Sequence, residues 1–206
     1  AFFRIGFSFE NSLLPRIQSA MPDLEVIDTR EGITLRGEEH RGEGGDPHIW
    51  LSPPLAKRQA MTIRDALIRL DPAGQKEYRS NYERFAGDLD RVDRRIAGLL
   101  APLRGRELLV YHPAFGYFAD EYGLKQVAVQ SGGKEPTARE LARLIEQAKQ
   151  RGARVVFVQP QLSQAGARAV AEAIGGSVVP LDDLAHDYLS NLEAMAHRIE
   201  EALSGP

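Results

Sequence analysis

Apolar positions along this chain recur at two spacings, and the change from one to the other organises it. The first segment reads as a short strand at Phe2 to Ile5, a helix from about Ser8 to Ala20 and a strand at Leu24 to Ile27. From Arg30 to Pro47 the residues turn to Gly, Glu, Arg and His, too polar and too rich in Gly to pack, which predicts a mobile loop over 30–45. After Pro53-Pro54 a helix runs to about Leu70, and Asp71-Pro72 breaks it. A longer helical pattern follows from Ala73 to Leu100. Its apolar and aromatic positions Tyr78, Tyr82, Phe85, Leu89, Val92, Ile96, Leu99 and Leu100 are three or four residues apart and share one face. At about 1.5 Å of rise per residue, such a helix is long enough to bridge two lobes.

Beyond Gly105 strands and helices alternate. Strands are expected at Glu107 to Tyr111, Lys125 to Val129, Arg154 to Val158 and Ser177 to Leu181. Helices are expected at Ala114 to Tyr122, Ala138 to Arg151, Gln164 to Ile174 and Asp187 to Leu203. That alternation implies a parallel sheet covered on both faces, so the fold class is α/β. Thr137 and Glu140 fit a capping box, and Gly152 fits the stop of the same helix.

Composition narrows the chemistry. With 206 residues, 43% of them hydrophobic, the chain can bury a core. A net charge of −3, with both signs interspersed, offers no basic field, so nucleic acid and anionic lipid are not expected partners. Cysteine is absent, so a metal site would have to use His, carboxylate or water. No run approaches the roughly 18 apolar residues of a membrane span. The opening Ala1-Phe2-Phe3-Arg4-Ile5-Gly6 lacks the layout of a signal peptide and reads as an interior strand, which suggests a chain that begins in mid-fold.

Ligands of open parallel sheets bind beyond the carboxyl ends of the strands. His112, Gln159 and Asp182 follow three of the predicted strands, so three polar side chains are expected on one edge. His48 stands elsewhere, in the tight Asp46-Pro47-His48 turn before Ile49-Trp50-Leu51. Two histidines and a carboxylate on the ends of rigid elements suit zinc or a similar divalent ion. Asp183 points the other way from Asp182 on strand geometry, which favours Asp182. His40 reads as a solvated loop residue, His186 and His197 as helix-surface residues, and Trp50, Tyr117 and Phe118 as core.

The segment Asp46-Pro47-His48-Ile49-Trp50-Leu51-Ser52-Pro53 resembles the Asp-Pro-His-x-Trp-Leu-x-Pro signature of zinc- and manganese-binding proteins of bacterial metal ABC importers. His112-Pro113-Ala114-Phe115-Gly116-Tyr117-Phe118-Ala119 is similar to that family's second ligand segment. Gly133-Lys134-Glu135-Pro136-Thr137-Ala138 and Leu181-Asp182-Asp183-Leu184 are similar to two more of its segments, in the same order. The resemblance implies two α/β lobes with parallel sheets joined by a long connecting helix, the metal at their interface. Residues 1–71 would be the remainder of an N-terminal lobe, 72–104 the linking helix and 105–206 the C-terminal lobe. It further implies His48, His112 and Asp182 as metal ligands, with histidine at position 112 favouring zinc over manganese.

Two departures stand out. The family's further histidine, from an early loop of the first lobe, has no counterpart here, and Gln159 replaces a glutamate common among relatives. The resemblance implies an extracytoplasmic, monomeric binding protein, periplasmic or lipid-anchored, that carries Zn2+, or else Mn2+, to a membrane permease. The rival is a metal-dependent hydrolase with an activated water in the open position. No residue suggests itself as general base, and Gln159 cannot serve as one. Nucleotide-binding and hydrolase signatures are missing from the sequence.

Overall fold

The computed structural model describes residues 1–37, 45–131 and 134–205, and the chain divides into two units, Ala1–Asp93 and Arg94–Pro206. His40 and Gly133 lie outside the described residues.

In the first unit, strands β1 (Phe2–Arg4) and β2 (Val26–Asp28) pair in parallel, with Phe3 opposite Ile27. Two three-residue strands supply few ladder bonds, so side chains hold the turn between β1 and helix α1 (Ser8–Ala20). The buried Glu10 carboxylate accepts from the backbone N–H groups of Ile5, Gly6 and Phe7, which would otherwise lack partners at the helix start. Thr29 donates to the Arg4 carbonyl and accepts from Gln59 of helix α2 (Pro53–Leu70). Lys57 of α2 then pairs with Asp90 of helix α3 (Gln75–Leu100), 2.7 Å away. Within the span expected to be a loop, Ile33 is buried and Arg30 holds the Asp28 carboxylate in a two-point ion pair, so that stretch packs at its start.

Helix α3 is one uninterrupted element of 26 residues, about 39 Å at the usual rise, and it carries residues of both units. Of its expected apolar stripe, Leu89, Val92, Ile96 and Leu100 are buried, while Tyr78, Tyr82, Phe85 and Leu99 are only partly buried.

The second unit contains a four-stranded, all-parallel sheet in the order β4-β3-β5-β6, made of β3 (Glu107–Val110), β4 (Lys125–Ala128), β5 (Val155–Val158) and β6 (Ser177–Pro180). Helices α4 (Gly116–Glu121), α5 (Ala138–Gln150), α6 (Ala165–Ile174) and α7 (Tyr188–Ser204) alternate with the strands. Every residue of β5 is buried, as a central parallel strand requires. On one face, Leu109, Tyr111, Val156 and Val158 pack with Ala148 of α5 and Val170 and Ile174 of α6. Thr137 and Glu140 form the expected capping box of α5. Gly152 follows α5 at φ +71°, a left-handed conformation that any side chain would strain.

The α/β class and the parallel sheets match the sequence expectation, with elements shifted by a residue or two at their ends. Helix α4 is the main shortening, because Pro113 and Ala114 form a tight turn closed by Ala114 N–H to the His112 carbonyl.

Phe157 is fully buried in β5, so Phe157→Ala is expected to cost about 3–5 kcal/mol. Arg151→Ala, which removes an exposed ion pair with Glu107, should cost less than about 1 kcal/mol. Urea unfolding followed by circular dichroism measures both.

Candidate metal site

Local chemistry makes the Asp46-Pro47-His48 turn. One oxygen of the Asp46 carboxylate accepts both the backbone N–H of His48, at 3.0 Å, and the ring Nδ1 of His48, at 2.6 Å. A single 3-10 turn, Ile49–Leu51, follows, with Ile49 and Leu51 sunk in the core. Ser52 then caps α2, accepting from the backbone N–H of Leu55, and Pro53-Pro54 occupy first-turn positions that need no N–H. The signature is thus one continuous device in which an acidic clamp, two apolar anchors and a helix cap fix the histidine between them. The rings of Phe7 and Trp50 flank His48 at centroid distances of 5.6 and 5.2 Å, so Trp50 also walls the imidazole besides packing.

A carboxylate only accepts, so the nitrogen facing Asp46 carries the proton of the neutral ring. That tautomer puts the lone pair of His48 on Nε2, the form in which imidazole binds a metal.

In the second unit the strand order reverses between β3 and β5, the switch point at which such sheets bind ligands. His112 follows β3 and Gln159 follows β5, so these two flank the switch point, with Asp182 beyond the end of the neighbouring β6. His112 Nδ1 lies 2.9 Å from Gln130 Oε1. Gln130 Nε2 donates to Glu135 Oε1, and the Tyr111 hydroxyl donates to Glu135 Oε2 at 2.6 Å. Burial, reinforced by the Glu135 hydrogen bond and charge, pushes the Tyr111 phenol up to about 12, so it stays a donor.

Asp182 Oδ1 accepts from the Gln161 amide and from the backbone N–H of Leu184, while Asn191 holds its carbonyl. Asp183 is buried and accepts from Gln159 Nε2 at 3.1 Å. The two carboxylates therefore take different partners. Gln159 Oε1 is buried without a hydrogen-bond partner among the described residues. Sequence reasoning passed over Gln130, although it follows β4 as His112 follows β3, and the same strand-end rule would have chosen it. It also missed Gln161 and Asn191, which have no such signal.

Neither unit by itself gathers the predicted set. His48 belongs to the first unit, His112 and Asp182 to the second. Among the described residues, no group of three or more His, Asp and Glu side chains is assembled as a metal site. His186 lies exposed in the bend before α7, and His197 is exposed on that helix.

Residues 1–202 match the family described as zinc-uptake complex component A, periplasmic. The chain belongs to that family. Among curated relatives, the high-affinity zinc uptake system protein ZnuA of Bacillus subtilis (strain 168) is 34% identical over 141 residues, 68% of this chain and 44% of that protein. ZnuA of Yersinia pestis is 34% identical over 149 residues, 71% of this chain and 46% of that protein. The chain thus spans about half the length of these relatives or less. A crystal structure of ZnuA superposes with a TM-score of 0.91 at 40% identity, covering 98% of this chain and 78% of that one. A zinc-bound ZnuA deletion mutant gives 0.92 at 40% identity, covering 100% and 79%. These family members are named for zinc uptake, which agrees with the resemblance read from the four segments.

Asp46→Ala removes an acceptor shared by the ring and the backbone of His48. The expected loss is about 2 kcal/mol of stability, the range of hydrogen bonds to charged groups, measured by urea unfolding.

Proposed function

We propose that the protein captures a divalent transition metal outside the cytoplasm, with zinc preferred over manganese, and passes it to the membrane permease of an ABC importer. His48, His112 and Asp182 are the ligands, and the protein acts as a monomer without catalysing a reaction. The observation that carries this reading is the shared state of the two histidines. Each has Nδ1 against a protein oxygen, Asp46 for one and Gln130 for the other, so each ring is set to offer Nε2. Two neutral imidazoles and a carboxylate make a borderline donor set that suits zinc. The names of the relatives favour the same cargo and favour transport over hydrolysis.

Protons compete with the metal for the imidazoles, so zinc affinity should fall on acidification. His48→Ala, His112→Ala and Asp182→Ala should each weaken zinc binding by more than about a hundredfold, beyond the 10–100-fold typical of an outer partner. Calorimetric titration with zinc measures each. An unchanged Kd removes that residue from the site, and zinc-dependent ester or phosphoester hydrolysis by the chain would restore the enzyme reading.

A further inference from the structure

The hydrogen bonds behind His112 form a chain in which each group fixes the next. Glu135 is a carboxylate with no hydrogen to give, so the side of Gln130 that faces it at 2.7 Å must be the amide NH2. The amide oxygen then points the other way, to His112 Nδ1 at 2.9 Å. An amide oxygen only accepts, so Nδ1 carries the proton and the lone pair lies on Nε2. Glu135 is itself held at its second oxygen by Tyr111. The Tyr111 hydroxyl has little freedom to leave, because it lies against Gly166 so closely that a Cβ there would sit 1.9 Å from it. Tyr111 is buried, and Gly166 lies in the first turn of helix α6, so this end of the chain is anchored in the core.

We propose that Gln130 and Glu135 are positioning residues that lock His112 in its Nδ1–H tautomer and aim Nε2 before a metal arrives. The proposal rests on the reading of His112 as a zinc ligand. It gives the two histidines different supports. His48 leans directly on a carboxylate, whereas His112 meets its carboxylate only through a neutral amide. An amide between them can be inverted, so the charge at Glu135 serves to choose its orientation.

The arrangement allows an exchange test. Gln130→Leu removes the acceptor, and zinc affinity should fall about tenfold. Glu135→Gln lets the amide at 130 turn either way, and affinity should fall about three- to tenfold. Combining Gln130→Glu with Glu135→Gln rebuilds every pair with the roles exchanged. The carboxylate at 130 accepts from Nδ1–H and from the new amide, whose oxygen accepts the Tyr111 hydroxyl. The exchanged protein should bind zinc within about threefold of wild type, an outcome that a purely structural role for the two residues does not produce.

Nitrogen NMR of the metal-free chain, above the pH range in which its histidines titrate, reads the tautomer directly. Wild type and the exchanged protein should show His112 protonated at Nδ1, and Gln130→Leu should show a mixture. An Nε2–H tautomer in wild type, or an exchanged protein that binds as weakly as the weaker single variant, overturns the proposal. Wild-type zinc affinity in His112→Ala would instead overturn the ligand assignment and this proposal with it, so the two failures are told apart.

Discussion

The burial of β5 on both faces is the constraint from which the candidate chemistry of the second unit follows. Val156, Phe157 and Val158 are inaccessible to solvent, and β3 and β6 pair with β5 on either side. Strands so enclosed cannot shift register without taking a fully apolar row out of its core. The residue after each strand is therefore placed as firmly as the strand itself. Tyr111 N–H bonds to the Phe157 carbonyl and Gln130 N–H to the Tyr111 carbonyl, which carries that rigidity past the last strand residue to His112 and its partner. Leu181 N–H bonds likewise to the Val158 carbonyl, one residue before Asp182.

The first unit solves the same problem with far less sheet. Its two short strands, β1 and β2, do little to stiffen the His48 turn, and His48 is held by an aspartate two residues away, with Ile49 and Leu51 anchored just beyond. The hydrogen bonds of this clamp, the apolar anchors and the helix cap can be written into eight consecutive residues. The support of His112 is the opposite case, built from Gln130 on a neighbouring strand end and Glu135 in the following loop, 18 and 23 positions along. One ring leans on a charge and the other on a dipole, and both arrangements give the same tautomer.

The buried pair of Gln159 and Asp183 shows what a neutral amide at position 159 does. A glutamate at 159 would face the Asp183 carboxylate across about 3 Å, and two like charges that close in a buried position could not both ionise. Glutamine instead donates to Asp183 and leaves its own oxygen buried without a partner among the described residues. An unsatisfied acceptor of that sort costs about 1–3 kcal/mol, a smaller penalty than an unpaired buried charge.

Most of the fold was legible in the sequence because its elements are periodic and locally capped. The second half of the expected stripe, at Leu89, Val92, Ile96 and Leu100, is buried in α3, and the Thr137 and Glu140 box begins α5 where expected. Of the candidate site, the sequence determined which residues stand at strand ends and in the Asp46 clamp, since those depend on chain position and near neighbours. Only the tertiary structure decided the strand order that puts His112 and Gln159 at the switch point. It alone showed that Ile33 is buried within a polar stretch, and that Asp182 and Asp183 take different amide partners. The links from Gln130 to Glu135 and from Gln161 to Asp182 were equally invisible. Hydrogen bonds between residues far apart in the chain leave no period, because their geometry is set by the packing of separate elements rather than by spacing along one.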